Sequence, residues 1–250
     1  MIKASVYIIC QNEEKHIKRC LESVKDFDEI IIVDSRSSDK TLEIASAYTD
    51  KIFHQDFLGY AKQKEFAKNL CSHEWVLNLD ADEELSSELK NEIITTIQND
   101  DCDGLEVNIF SKYLGKFPNK LCKAITRIRF FRKNLGSYGA KLVHESISLN
   151  GKVKKSKNFI YDHGLTTIQT QIDKINSYSS LRASEKSNKN RSASSLKLIF
   201  VFPLAFFKSY IVRRNFLNGK RGFILAVILA FYAFLKEAKL YEQNLNNKKN

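Results

Sequence analysis

Apolar positions fall along this chain in blocks of two kinds. Residues 4–10, 29–33 and 75–79 are nearly continuous apolar runs of strand length, and residues 51–54 predict a further short strand. Runs of this sort, without alternation, predict strands buried on both faces. Between them the period changes. Ile17, Cys20, Leu21 and Val24 lie at i, i+3, i+4 and i+7, one stripe of a helix, with Asn12 offered as its N-cap. Residues 41–48 and 60–70 predict two further helices. Ser86 predicts the cap of a fourth, with Leu89, Ile93 and Ile97 on one face. The order β-α-β-α-β-α-β-α predicts a parallel sheet covered by helices.

From residue 103 the pattern shifts to short alternating segments at 104–110, 126–131, 145–149 and 157–161. They predict a mixed or antiparallel extension of the sheet, and Asn150-Gly151 between two of them predicts a hairpin turn. Residues 168–192 read as a polar helix fraying into a Ser/Asn/Lys-rich linker. Two apolar stretches follow, 198–207 (interrupted by Pro203) and 223–235. Each is shorter than the roughly 18 residues of a spanning helix. With Lys208, Arg213, Arg214, Lys220, Arg221 and Lys236 around them, they predict helices lying in a membrane interface, the second having a buried core helix as its alternative. The expected division is 1–165 for the α/β domain and 166–250 for a helical, basic, membrane-associating tail.

Charge sharpens that division. The formal net charge is +11. Residues 1–180 hold 26 Lys/Arg and 26 Asp/Glu, whereas residues 181–250 hold 14 Lys/Arg and three Glu, so the whole excess lies in the tail. Such a tail suits an anionic surface. Hydrophobic residues at 43% exclude wholesale disorder. Cys10, Cys20, Cys71, Cys102 and Cys122 are odd in number and scattered, which predicts reduced thiols rather than a disulfide frame or a closed zinc site. The first ten residues read as a buried strand and not as a signal peptide.

In an open α/β sheet, ligands sit at the carboxyl ends of the strands. Three polar clusters fall there: Gln11-Asn12-Glu13, Asp34-Ser35 and Asp80-Ala81-Asp82. Two carboxylates at i and i+2 after a buried strand can share Mg²⁺ or Mn²⁺, and such an ion would bridge a diphosphate. The plainer reading is a helix start rich in acids. Asp34 can accept from a nucleobase or ribose, or simply form a turn. Lys64 can meet phosphate, His163 can ligate metal or phosphate, and Glu145 can take a proton from an attacking hydroxyl.

These segments resemble a known family. SVYIICQNEEKHIKRCLESV, EIIIVDSRSSDKT and WVLNLDADEEL resemble the first half of the family-2 glycosyltransferases of GT-A fold. NLGSYGAKLVHESI, NGKV, YDHG and the FLNGKRGFILAVILAFYAFLKEAKLYE tail resemble the lipopolysaccharide inner-core β-1,4-glucosyltransferases. The resemblance implies an α/β, Rossmann-like, mostly parallel sheet with covering helices, followed by basic amphipathic helices. It implies inverting transfer of a hexose, glucose first among them, from a UDP-sugar to a heptose of the inner core. It places Asn12, Glu13 and Asp34 at the nucleotide and Asp80 and Asp82 at the metal–diphosphate; the reading of the residues themselves adds Lys64 and Asp80 to the nucleotide-sugar site and His163 to the Mn²⁺ or Mg²⁺ ligands. Glu145 becomes the base. The expected partners are the UDP-sugar, a lipid-linked oligosaccharide and the anionic cytoplasmic face of the inner membrane, but no nucleic acid. Another cell-surface glycan or a polyprenyl-linked acceptor is the alternative. One departure stands out: Arg36 occupies a turn position where such relatives carry Gly, the residue of positive φ.

Overall fold

The computed structural model describes residues 1–139, 147–164, 167–189 and 192–247. The chain divides into two compact units, 1–111 with 124–164, and 112–123 with 165–250.

The first unit runs β1 (Ile2–Cys10), α1 (Ile17–Val24), β2 (Phe27–Asp34), α2 (Thr41–Ser46), β3 (Ile52–His54), α3 (Tyr60–Leu70), β4 (Trp75–Asn78), β5 (Glu83–Leu85), α4 (Ser87–Asn99), β6 (Gly104–Ser111), β7 (Ile125–Arg132), β8 (Gly136–Tyr138), β9 (Ile147–Leu149) and β10 (Val153–Asp162). Eight strands form one sheet in the order β3-β2-β1-β4-β7-β6-β10-β5, and β8 pairs with β9. Strands β3, β2, β1 and β4 are mutually parallel; β7 runs against β4 and β6, and β5 against β10. The predicted parallel half and mixed extension are both present.

Burial explains the continuous apolar runs. Val6, Ile8, Ile30 and Ile32 enter one core with Ile17, Leu21, Leu89 and Ile93 from α1 and α4. Their neighbours Tyr7, Ile31 and Val33 enter a second core with Ala67 of α3. A strand covered on both sides needs apolar residues at every position, because successive side chains point to opposite faces. Trp75 stacks on Phe130 at a centroid distance of 4.7 Å, tying β4 to β7. All five cysteines are buried and free.

Local structure departs from the sequence pattern at several points. Asn12 does not cap α1, which begins at Ile17; it stands at φ 56°, and its side chain accepts from the Ser38 N–H at 2.8 Å. Ser86 does cap α4, accepting from the Leu89 N–H at 3.2 Å. Between the DAD triplet and that cap lies β5, an acidic strand that no apolar run announced. The Asn150-Gly151 hairpin does not form: β9 pairs with β8, β10 with β6 and β5, and the turn crosses between sheets. Asp103 closes this turn, accepting from the Lys152 N–H at 2.7 Å.

The second unit contains α5 (Ile168–Ser187), α6 (Ser195–Phe207) and α7 (Gly219–Asn247), with α7 packed on both others. Pro203 does not end α6, which runs on through a turn of π-helix, Lys208–Val212. The continuous helix Ser195–Val212 is 18 residues long. Among the described residues it is the one helix long and apolar enough to cross a membrane, by length and composition alone. Counting only the apolar run missed this, because Ser195, Lys197 and Lys208 are helical too. The buried seam of the unit comes from α7, through Ala226, Ile228, Ala230 and Leu240. So the 223–235 stretch is a packing helix, and α6 carries the exposed apolar face. Phe206, Tyr210, Phe216 and Phe223 form an aromatic cluster at the α6–α7 turn. A Cβ on Gly222 would lie 1.8 Å from the Asn215 carbonyl, so only glycine admits that close approach.

Candidate active site

In-register pairing sets Cys10, Asp34 and His54 side by side at the carboxyl ends of β1, β2 and β3. Asp34 is buried and accepts from the backbone N–H of Ser37 at 3.0 Å and from its hydroxyl. His54 Nδ1 lies 3.5 Å from the same carboxylate. The Asn12 N–H donates to Ser37 Oγ at 2.9 Å and the Glu13 N–H to Thr41 Oγ1 at 2.7 Å. These bonds lace the loop after β1 to the loop after β2. Arg36 sits at φ 62°, the conformation that favours Gly, and its guanidinium forms a two-pronged pair with exposed Asp56. On the floor of this region Gln63 of α3 is fully buried, donating to Ser35 Oγ at 3.0 Å and to the Gln55 carbonyl at 3.1 Å.

Asp80 and Asp82 have separate surroundings. Asp80 meets Lys64 Nζ at 2.7 Å and Arg129 Nη2 at 3.0 Å. Burial alone would raise its pKa, but the two cations hold the carboxyl well below the usual range. Arg129, on β7, is buried and also reaches Glu83 at 2.5 Å and Asn78 Oδ1 at 2.6 Å. Buried Glu83 is raised by desolvation in spite of Arg129, and accepts from the Asp80 N–H at 2.9 Å.

Asp82 meets no lysine or arginine among the described residues. Burial, and then the nearby carboxylates of Asp162, Asp80 and Glu13, push it up to about 7. The cause is topological. β5 pairs antiparallel with the end of β10, opposing Asp162 to Glu83 and Tyr161 to Glu84. The pairing continues as the His163 N–H donates to the Asp82 carbonyl at 2.9 Å. His163 Nε2 bonds Glu84 at 2.7 Å. A Cβ on Gly164 would fall 2.1 Å from Asp82 Oδ2 and 3.0 Å from Asp162 Oδ1. Thus YDHG wraps the second aspartate of DAD, and its glycine makes room for that carboxylate.

A desolvated carboxylate among others, with no counter-cation among the described residues, fits a hard divalent ion bound through oxygen. Among the described residues, however, no three His, Cys, Asp or Glu converge as a complete cage. Asp82 has the coordinating capacity, while Asp80 is already neutralised by Lys64 and Arg129. The structure gathers Asn12, Glu13 and Asp34 around one pair of loops, and Lys64, Asp80, Asp82 and His163 around the DAD turn. Glu145 lies outside the described residues. Sequence reasoning missed Arg129, Glu83 and Asp162: one arginine in an alternating strand carries little signal, although Asp162 stood within YDHG.

Residues 5–158 match the family described as glycosyl transferase family 2. This chain belongs to glycosyl transferase family 2. An uncharacterized glycosyltransferase of Rickettsia typhi is 34% identical, over 99% of this chain and 90% of the relative. The lipopolysaccharide core biosynthesis glycosyltransferase LpsC of Rhizobium meliloti is 32% identical, over 96% of this chain and 92% of the relative. The crystal structure of S. aureus TarS 1-349 aligns at a TM-score of 0.51 and 17% identity, covering 99% of this chain and 91% of that one. The fold of this family-2 glycosyltransferase is accordingly GT-A, and the protein is an enzyme. The clusters at the strand ends are its candidate donor site.

Proposed function

We propose that this family-2 glycosyltransferase transfers a hexose, glucose first among them, from a UDP-sugar to a heptose of the lipopolysaccharide inner core, with inversion. The relationship to LpsC, along nearly the full length of both chains, supports a lipopolysaccharide acceptor. The observation that carries the donor chemistry is the Asp82 carboxylate beside Asp162 at the carboxyl edge of the sheet, which meets no lysine or arginine among the described residues.

In this reading Asp34, Asn12 and Glu13 face the nucleotide, and Lys64 with Asp80 orients the donor phosphates. Asp82, with His163 beside it, would hold Mn²⁺ or Mg²⁺. When bound, the ion offsets negative charge on the departing diphosphate. The acceptor hydroxyl oxygen attacks the anomeric carbon as the bond to the phosphate oxygen breaks, and UDP leaves with the electron pair. Glu145 takes the hydroxyl proton. Arg129 keeps Asp80 ionised and fixed, so the phosphate side of the site is organised before the donor arrives. The helical unit, basic and apolar at once, keeps the enzyme at the anionic cytoplasmic surface of a membrane, where a lipid-linked acceptor is found.

The test incubates the protein with a panel of UDP-sugars and a heptose-terminated lipid A–core acceptor, with Mn²⁺ or with EDTA. The expected result is UDP release for one sugar, abolished by EDTA and increased by the acceptor. EDTA-resistant turnover would remove the metal from the reading. Turnover only with a polyprenyl-linked or other glycan acceptor would reassign the product.

A further inference from the structure

The strand pair β6–β7 of the transferase unit is joined by residues 112–123, and this excursion belongs to the helical unit. Hydrogen bonds fasten it there, among them Asn218 Nδ2 to Cys122 Sγ at 3.2 Å. The Asn119 N–H donates to Asn218 Oδ1 at 2.8 Å, and the Lys123 N–H to the Arg213 carbonyl at 3.1 Å. Cys122 Sγ lies 3.2 Å from the Arg214 carbonyl, and Arg221 Nε donates to the Leu114 carbonyl at 3.0 Å. Asn218, Arg213 and Arg214 lie in the turn between α6 and α7, and Arg221 lies in the first turn of α7.

The composition of what is thus joined is one-sided. Residues 112–123, KYLGKFPNKLCK, carry four lysines and no acid. The turn they meet and the start of α7 add Lys208, Arg213, Arg214 and Lys220, all exposed, and no acid occurs between Glu185 and Glu237. Counted by unit, the helical one holds 19 lysines and arginines against four acids, net +15; the transferase unit holds 21 against 25, net −4. Apolar side chains stand exposed within the same segments: Phe117 and Leu121 in the excursion, Phe216 and Leu217 in the turn. On α6, Leu196, Ile199 and Leu204 are each about two-thirds exposed (68%, 66% and 65%). Exposed apolar groups interleaved with exposed cations suit a lipid headgroup layer, where one component enters the acyl boundary and the other meets phosphate.

We propose that the 112–123 excursion is a lipid-contacting element, forming with the α6–α7 turn one cationic surface for the headgroups of an anionic bilayer. The proposal rests on the membrane reading given above and adds to it a segment drawn from between two strands of the transferase sheet. The full-length protein is mixed with phosphatidylglycerol-containing or pure phosphatidylcholine vesicles, and bound protein is measured by co-sedimentation. Wild type should bind the anionic vesicles selectively. Neutralising the exposed Lys116, Lys120 and Lys123 to Gln should weaken that binding about 100-fold. UDP-sugar cleavage without acceptor should remain within about twofold of wild type, since these residues lie outside the donor site. A second variant, Ile199→Ser with Leu204→Ser, tests the membrane reading itself. Loss in the second variant with unchanged binding in the lysine variant overturns the excursion's role and leaves the membrane reading standing. No vesicle binding by wild type overturns both, and binding kept in full by both variants overturns the excursion's role together with that of α6. Binding to single-stranded RNA in place of vesicles, lost with the three lysines, would reassign the surface.

Discussion

At the scale of single residues, two carboxylates show opposite uses of burial. Asp82 meets no lysine or arginine among the described residues, so its substitution should disable the candidate donor site while sparing the fold. Asp82→Asn is expected to lose turnover by at least about 10³-fold, because a neutral amide cannot hold the ion that offsets the leaving diphosphate. Mn²⁺ should raise the melting temperature of wild type and leave that of the variant unmoved; a thermal scan with and without Mn²⁺ checks this, and an equal shift in both would remove Asp82 from the metal site. Glu29, on β2, is the reverse case. Burial alone would raise it, yet bonds from Lys51, Ser5 and Ser72 bring it down to about 2. A folded pKa below the unfolded value near 4.3 means that the unfolded state binds the proton more readily, so the contribution is complete above about pH 4.5 and fades as pH falls through 2. Glu29→Gln should therefore cost about 2–3 kcal/mol at pH 7, and the gap to wild type should close towards pH 2. Chemical denaturation across that range measures it, and a gap independent of pH would contradict the assigned bonds.

At the scale of elements, the candidate donor site depends on one short pairing. Three residues of β5 bring the end of β10 against the DAD turn, and Gly164 makes that approach possible. Gly164→Ala should displace Asp82 and reduce turnover more than about tenfold, with a higher metal requirement, since a misplaced ligand costs geometry before it costs stability. Turnover at wild-type level and unchanged Mn²⁺ dependence would show that the site tolerates the added carbon. Ser86→Ala is a different kind of change. It removes the α4 cap and should cost about 1 kcal/mol in stability with little effect on turnover. What the sequence revealed at this scale follows from burial. Strands covered on both faces announce themselves by apolar runs, and α1 by its stripe, so the parallel half was legible. β5 was not, because Glu83-Glu84-Leu85 has the look of a helix start and becomes a strand only through β10. The Asn150-Gly151 turn was misleading for a related reason: a local turn signal states that the chain bends, and the strands it joins are chosen by their partners across the sheet. Arg129 was invisible because its importance comes from meeting Asn78, Asp80 and Glu83, residues some fifty positions away.

At the scale of the whole molecule, charge is divided by structure more sharply than by sequence position. The tail alone accounts for the +11 excess, yet the helical unit reaches +15 because it recruits the lysines of 112–123. The transferase unit is left slightly acidic, with the cations Lys64 and Arg129 concentrated locally around Asp80. Two units of opposite sign should answer salt differently. Attraction to a charged bilayer decays over a Debye length of about 10 Å at 0.1 M salt and about 3 Å at 1 M, whereas ion pairs buried around Asp80 are screened far less. Raising NaCl over that interval should lower partition onto phosphatidylglycerol vesicles by at least about tenfold, leaving the residual binding contributed by the apolar face of α6. Cleavage of the UDP-sugar in the same series should change by less than about threefold. Parallel losses of vesicle binding and donor cleavage would mean that the buried pairs, and not the basic surface, are what salt disturbs.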